Sequence, residues 1–317
     1  MSEVRLSVVT VSWMTGPHLM DAVAAVLAAP GVDEFVMVSH ENPPEIIAAL
    51  RELAAKHAHF ILIETDKNLG FAKGCNIGAL AASGELVLFL NPDAILTPGS
   101  GLQLKQSALM TSRRPWIVGA RILNSDGSEQ AGGRRGELTP RTAAISFLRL
   151  DRLMPGLRNL HWEHDALPET MVPVPNVSGA AMMMRRDDFH ELGGFDERYF
   201  LHVEDIDLCR SVRAAGGDVW FEPRLEVLHF GATSQSSPIR VETHKAAGFV
   251  KYFWKFYPGP LQRLATLLLI VPIYGALWVR VAWIALRGRA HDMKRRLRAH
   301  LRLSRRRKTR GTPNDQA

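Results

Sequence analysis

Over its first ninety residues the chain alternates short β-branched apolar runs with stretches of helical period, a pattern few folds accept. Val4 to Trp13 is Val-rich and bounded by Gly16-Pro17, as expected of a buried strand. Pro17 to Ala29 carries Leu19, Val23, Val26 and Leu27 at helical spacing and stops at the turn pair Pro30-Gly31. The alternation continues with a strand at Phe35–Ser39, a helix at Pro44–Lys56 and a strand at Phe60–Ile63. A helix of small residues at Ala72–Ala82 and a strand at Glu85–Leu90 complete it. Strands separated by helices of this length predict right-handed βαβ units and a mostly parallel sheet. Residues 1–120 therefore read as a nucleotide-binding α/β half.

Beyond Arg121 the period weakens. Asn124 to Gly136 is a polar, Gly-rich loop, and Arg141 to Val172 has no clear repeat. Pattern returns with a strand at Ser178–Met184 and helices at Arg186–Leu192 and Val203–Ala215, each helix closed by a Gly-Gly pair. Two short strands follow, Val219–Phe221 and Glu226–Phe230. With 317 residues the chain accommodates one large domain and an appendage, so residues 121–258 read as the second half of the same domain. Only Cys75 and Cys209 occur, which leaves no disulfide framework and no four-cysteine zinc site and fits a reducing compartment.

The appendage is apolar and then basic. Leu264 to Val279 is uncharged over 16 residues; with Arg280 and the run to Leu286 the segment reaches 23. A spanning helix wants about 20 apolar residues, so this one crosses only if Arg280 is buried or snorkels. Residues 287–317 hold 12 Lys/Arg against Asp292 and Asp315, leaving 27 basic and 30 acidic groups in the rest of a chain whose net charge is +7. Residues 259–286 thus read as a membrane-associating segment and 287–317 as a polybasic tail, a combination suited to an anionic membrane surface. The alternative is a core helix with a solvated tail. The near-neutral body argues against a nucleic-acid groove. The N-terminus shows no signal-peptide pattern, which with the positive-inside bias predicts a body and tail at the cytoplasmic face of the inner membrane.

Four segments carry candidate chemistry. Asn91-Pro92-Asp93 follows the strand Glu85–Leu90, where ligands bind beyond strand carboxyl ends; a carboxylate there can hold a divalent ion against phosphates, although Asn-Pro-Asp is also ordinary turn chemistry. In the segment Asp66 to Gly78, Gly70, Gly74 and Gly78 recur every fourth residue, a stripe that permits close packing or close approach of a ligand, and its spacing is that of neither a dinucleotide fingerprint nor a P-loop. At a helix start, Glu204, Asp205 and Asp207 exceed what capping needs; Glu204 and Asp207 share a face, while Asp205 points elsewhere and suits a general base. His229 ends an apolar strand, where a structural histidine is the commoner reading. His161 and His164 look like half a zinc site but lack an HExxH pattern.

In this order the pieces resemble a family 2 inverting glycosyltransferase of the GT-A fold, and more narrowly the bacterial rhamnosyltransferase-like members. The resemblance runs over about residues 4–235, through Val8-Val9-Thr10-Val11-Ser12, Asn68-Leu69-Gly70-Phe71-Ala72-Lys73-Gly74-Cys75-Asn76, Asn91-Pro92-Asp93-Ala94, Gly193-Gly194-Phe195-Asp196-Glu197 and Glu204-Asp205-Ile206-Asp207-Leu208. It implies that Asp93 holds Mg2+ or Mn2+ against a donor diphosphate, with His229 as a further ligand. It makes residues 121–258 the acceptor-binding and catalytic half, and Asp205, with Glu204 beside it, the group that deprotonates the acceptor hydroxyl. Val11, Ser12, Ser39, Asn68, Lys73 and Asn76 would line the nucleotide pocket, with Asn91 and Asp207 also contacting substrate.

Two positions depart from the family pattern. Ser39 stands where the family has a base-contacting Asp, and Trp13-Met14 where it has Tyr-Asn. The expected reaction is metal-dependent transfer of rhamnose from dTDP-rhamnose to a lipid-linked cell-envelope or exopolysaccharide glycan. The alternatives are a UDP-hexose donor on the same fold, or a non-catalytic membrane-bound partner of glycan-assembly enzymes.

Overall fold

The computed structural model describes residues 4–282 apart from 149, 153, 155, 158, 232, 233, 235, 236 and 280; the polybasic tail lies outside the described residues. The first half contains β1 (Leu6–Trp13), α1 (Leu19–Leu27), β2 (Glu34–His40), α2 (Pro44–Lys56), β3 (Phe60–Thr65), α3 (Phe71–Ala81) and β4 (Leu86–Leu90). It continues through β5 (Ala94–Leu96), α4 (Ser100–Met110) and β6 (Trp116–Leu123). The second half adds β7 (Arg134–Arg135), α5 (Pro140–Leu148), β8 (Val172–Pro173), β9 (Asn176–Val177), β10 (Ala181–Arg185), α6 (Arg186–Glu191), α7 (Glu204–Ala214), β11 (Asp218–His229) and α8 (Pro238–Phe256). A last helix, α9, spans Pro260–Val279.

The main sheet has the order β3-β2-β1-β4-β10-β6-β11-β5, with β8 also paired to β11. Strands β1 to β4 are mutually parallel, as the alternation predicts, and β6 runs parallel to β11. β10 lies antiparallel between β4 and β6. The inner strands are buried on both faces, which is why they read as unbroken Val-rich runs. Leu6 and Val8 face a core closed by Leu19 and Val23 of α1, Leu50 of α2 and Leu104 of α4. Val9 and Val11 face the opposite core, closed by Ala72 and Cys75 of α3, Phe189 of α6 and Leu208 of α7.

The glycine stripe of α3 is a packing device. A Cβ at Gly78 would lie 2.4 Å from Val9 Cγ1, and one at Gly74 2.6 Å from Val11 Cγ1. Only bare backbone lets α3 approach β1 this closely. The two strands expected at 219–221 and 226–230 are one strand, β11, whose register shifts between Glu222 and Glu226. Pro223 cannot donate to the ladder, and Glu222 accepts instead from the backbone N–H of Arg224 at 3.1 Å.

A third core joins α8 and α9 to the segment before α7. Tyr252 and Phe253 of α8 and Leu269, Ile273 and Leu277 of α9 pack with Tyr199, Val203 and Ile206. Among the described residues, α9 is long and apolar enough to cross a membrane, with a mean hydropathy of 1.5. The sequence pattern predicts the apolar character of α9; the amphipathic helix α8 beneath it is a structural finding.

Candidate active site

At the carboxyl edge of the sheet, β4 ends at Leu90 and the Asn91-Pro92-Asp93 turn follows. The Asn91 N–H donates to the Ala180 carbonyl at 2.9 Å, which fixes the turn against the residues leading into β10. β5 then pairs antiparallel with the end of β11, in a register that sets Ala94 opposite His229. That pairing brings His229 to Asp93 across 136 positions of sequence. Nε2 of His229 lies 3.2 Å from Asp93 Oδ1 and 3.1 Å from Asn91 Nδ2. The other ring nitrogen, Nδ1, lies 2.6 Å from Gln130 Oε1, and Gln130 also donates to the His229 carbonyl at 3.0 Å. With Nδ1–H donating to Gln130, Nε2 accepts from the Asn91 amide and lies beside an Asp93 carboxylate oxygen, so a nitrogen and an oxygen donor stand side by side. Gln130, in a loop without period, has no sequence signal.

Asp205 begins the other half of the site. His202 and Val203, the residues before α7, have φ of 68° and 75°; positive φ at a β-branched residue is sterically costly and is held here by packing of Val203 in the third core. The conformation carries Glu204 and Asp205 inward at the first turn. Asp205 Oδ2 accepts from Arg135 and from the Gly179 N–H at 3.0 Å, and Oδ1 accepts from the Ile206 N–H at 2.8 Å. Burial alone would raise its pKa, but the Arg135 charge and these hydrogen bonds outweigh it and hold the carboxyl below its ordinary value. Asp205 is thus an ionised, nearly buried carboxylate. Gly179 bonds Asp205 and the adjacent Ala180 bonds Asn91, so one short segment ties both halves of the site together.

Glu204 has the opposite character. Burial, with the charge of Asp205 beside it, pushes its carboxyl up to about 8, and one of its oxygens is buried without a hydrogen-bond partner. His202 is pushed down to about 4 by burial and by Lys245, which leaves its imidazole neutral near pH 7. Asp207 is engaged elsewhere: it accepts from Tyr199 Oη at 2.8 Å and from Lys255 Nζ at 2.7 Å, and Lys255 also reaches Asp196 at 3.0 Å. One lysine of α8 therefore clamps the Gly-Gly-Phe-Asp-Glu segment to α7. His164 has a side chain 94% exposed, whereas His161 is joined by a backbone bridge to Arg135.

Three of the residues expected to line a nucleotide pocket, Val11, Ser12 and Ser39, stand at the ends of β1 and β2. Ser12 and Ser39 are buried and sit side by side in the β1–β2 register. Both are bonded by Asn42, whose Nδ2 lies 2.6 Å from Ser12 Oγ and 2.8 Å from Ser39 Oγ. Asn42 Oδ1 is buried without a partner. Asn42, three residues beyond Ser39, thus joins the ends of the two strands. Asn68 Oδ1 caps the turn before α3 by accepting from the Gly70 N–H at 2.9 Å. Lys73 pairs with Glu197 at 3.1 Å on the surface. Asn76 gives both ends of its amide to the Phe195 backbone, each at 2.9 Å, so it buttresses the Gly-Gly-Phe loop.

The profile described as "Glycosyl transferase family 2" matches residues 7–193, which include β1 to β10 and the Asn-Pro-Asp turn. The chain belongs to glycosyl transferase family 2. It is a glycosyltransferase, and its relatives include rhamnosyltransferases. An N-acetylglucosaminyl-diphospho-decaprenol L-rhamnosyltransferase of Mycobacterium tuberculosis is 27% identical over 257 residues, covering 72% of this chain and 77% of the relative. Rhamnosyltransferase WbbL of Escherichia coli is 38% identical over 53 residues, 17% of this chain and 20% of the relative.

Among solved structures, the mannosyltransferase PcManGT of Pyrobaculum calidifontis, in complex with GDP-Man and Mn2+, superposes with a TM-score of 0.55 at 16% identity. That match covers 92% of this chain and 80% of the other. GalNAc-T7 with UDP, GalNAc and Mn2+ gives 0.56 at 18% identity, over 81% of this chain and 49% of that one. Both establish the mostly parallel α/β fold.

Proposed function

We propose that this family 2 enzyme is an inverting transferase that moves rhamnose from dTDP-rhamnose to a lipid-linked glycan at the cytoplasmic face of the inner membrane. The observation that carries the reading is Asp205: a buried carboxylate held ionised by Arg135, Gly179 and Ile206, one dipeptide away from the Asn91–Asp93 turn. An inverting transfer needs one base on the acceptor and one clamp on the leaving diphosphate. Asp205 takes the proton from the acceptor hydroxyl as that oxygen attacks the anomeric carbon from the face opposite the nucleotide. The bond to the diphosphate breaks in the same step, so the sugar is transferred with inversion and the nucleoside diphosphate leaves with its electron pair. Glu204, protonated near neutral pH, adds no second negative charge beside the base.

Asp93 and His229 offer an oxygen and a nitrogen facing each other across 3.2 Å, a donor set that suits Mg2+ or Mn2+. Among the described residues no group of three or more His, Cys, Asp or Glu side chains converges, which fits an ion completed by substrate phosphates and water rather than a protein cage. Bound there, the ion would neutralise charge developing on the diphosphate. Ser12, Ser39 and Val11 would form the floor of the donor pocket, with Asn68 and Lys73 near its rim, and Asn91 would help to hold the ion. Asn76 and Asp207 act by holding the surrounding loops. The acceptor named for the mycobacterial relative, a polyprenyl-diphosphate-linked N-acetylglucosamine, supports an acceptor of the same chemical class here.

The test is thermal shift of the purified protein against dTDP-rhamnose, UDP-hexoses and GDP-mannose, with and without Mn2+ or Mg2+. Stabilisation by dTDP-rhamnose plus metal, lost in Asp93→Ala but kept in Asp205→Asn, is the expected result. A response to a UDP-hexose alone overturns the donor. Near-normal turnover in Asp205→Asn removes Asp205 from the mechanism.

A further inference from the structure

Helix α9 presents two apolar faces in different directions. Thr266, Leu269, Ile273 and Leu277 are buried, at intervals of three and four residues. The last three belong to the third core, with Tyr252 and Phe253 of α8 and with Val203 and Ile206 beside the proposed base. The other face carries Leu264, Leu267, Leu268, Val271, Trp278 and Val279, each more than half exposed. No charged residue occurs from 264 to 279, so this outer stripe is uncharged over roughly 24 Å of helix at about 1.5 Å per residue. An apolar surface of that length on one protein calls for an apolar partner.

We infer that α9 is an in-plane anchor: it lies flat on an anionic bilayer surface with the outer stripe among the acyl chains, and it does not cross. The inner face decides between the two geometries. If α9 turned upright to span, it would leave Phe253, Tyr252 and Val203 without their apolar cover. Lying flat keeps the third core intact and buries only the stripe that has no cover now. Charge identifies the surface. Residues 287–317 carry 12 Lys/Arg against two acids, which fits anionic headgroups. Exposed tryptophans stand at both ends of the stripe: Trp254, under the Arg263 guanidinium at 4.9 Å, and Trp278. Such rings favour the headgroup boundary. In this orientation Val203 and Ile206, which flank Glu204 and Asp205, lie against the anchor, so a lipid-linked acceptor meets the base at the membrane surface. Only that last consequence rests on the proposed function.

The test places single cysteines at Leu264, Leu268, Val271 and Trp278, labels each with a fluorophore, and measures depth by quenching with spin-labelled lipids. The native Cys75 and Cys209 are buried and do not compete. Vesicles of phosphatidylcholine with and without phosphatidylglycerol supply the surface. Four labels at one shallow depth, on the anionic vesicles, are expected; depths graded by roughly 21 Å from position 264 to 278 would mean a spanning helix and overturn the inference. Absence of quenching would assign the stripe to a protein partner and also overturn it. As a second arm, Leu264→Glu/Leu268→Glu/Val271→Glu should lose vesicle binding while keeping the wild-type melting temperature; retained binding overturns the anchor. Neither readout depends on sugar transfer, so failure here is separable from failure of the enzymatic reading.

Discussion

Arg135→Met tests the role of Asp205 more directly than replacing Asp205, because the carboxylate stays and only its restraint changes. The guanidinium bonds Asp205 Oδ2 and donates at 2.8 Å to the Val177 carbonyl, and the two side chains are 13% and 12% exposed. In the variant the carboxylate keeps the Gly179 and Ile206 N–H groups but loses its counter-charge. Breaking a buried pair from one side costs about 3–5 kcal/mol; at roughly 2–4 °C per kcal/mol, the melting temperature should fall by roughly 10 °C.

The proton equilibrium moves as well. In the wild type the charge of Arg135 outweighs burial, and without it burial dominates and the pKa of Asp205 rises. A base works only when deprotonated, so the acid limb of kcat/KM shifts to higher pH. The depressed pKa also contributes stability that is present above the unfolded value and lost as pH falls through the folded one; the variant loses that contribution. Arg135→Lys restores the charge without the planar fork and should fall between the two. The assays are thermal melting and a pH–rate profile of sugar transfer. A folded Arg135→Met enzyme whose acid limb does not move would refute Asp205 as the base, and an unchanged melting temperature would refute the buried pair.

Three further outcomes follow from other parts of the site. Glu204, raised from 4.5 to about 8 by burial, binds a proton in the folded state that the unfolded chain releases. Stability should therefore decline as pH rises from about 4.5 to 8, and Glu204→Gln should flatten that decline by on the order of a few kcal/mol, measured by urea melts across the range. Gly78→Ala would ordinarily gain about 1 kcal/mol of helix propensity, but a Cβ 2.4 Å from Val9 should make it a net loss of about 1–3 kcal/mol; a rise in stability would show that α3 can retreat from β1. Asn42→Ala removes the bonds to Ser12 and Ser39 and should weaken nucleotide binding by calorimetry while leaving the Asp93-dependent metal response intact.

The parts legible in sequence are those whose signal is local. Burial on both faces writes β1, β2 and β4 as continuous apolar runs, and small residues at every fourth position write α3. Asn91-Pro92-Asp93 and Glu204-Asp205 are visible because each cluster sits at one element boundary. Arg135, Gln130 and Asn42 are invisible for the complementary reason. Arg135 reaches Asp205 from a two-residue strand paired with β9, and Gln130 reaches His229 across 99 positions. Asn76 and Asp207 look like pocket residues in a linear motif, yet their side chains go to the Phe195 backbone and to Lys255. A motif preserves the order of residues but not the direction each side chain takes.

The placement of Asp93, Asp205 and His229 along one edge of the sheet follows from one reversal in it. β10 is antiparallel to both neighbours, with Ala181 opposite Leu90 of β4 and Met182 opposite Gly119 of β6. Its start therefore lies at the edge where β4 ends, and the two residues before it, Gly179 and Ala180, can bond Asp205 on one side and Asn91 on the other. A parallel strand in that place would begin at the far edge, a full strand length away. β6 and β11, parallel to β4 beyond β10, finish at this same edge, and β11 delivers His229 there opposite Ala94. Asp205 with Arg135, and Asp93 with His229, thus come to the same edge because three strands end and one begins there. Loss of the β10 register would separate Asp205 from Asp93 without altering either residue.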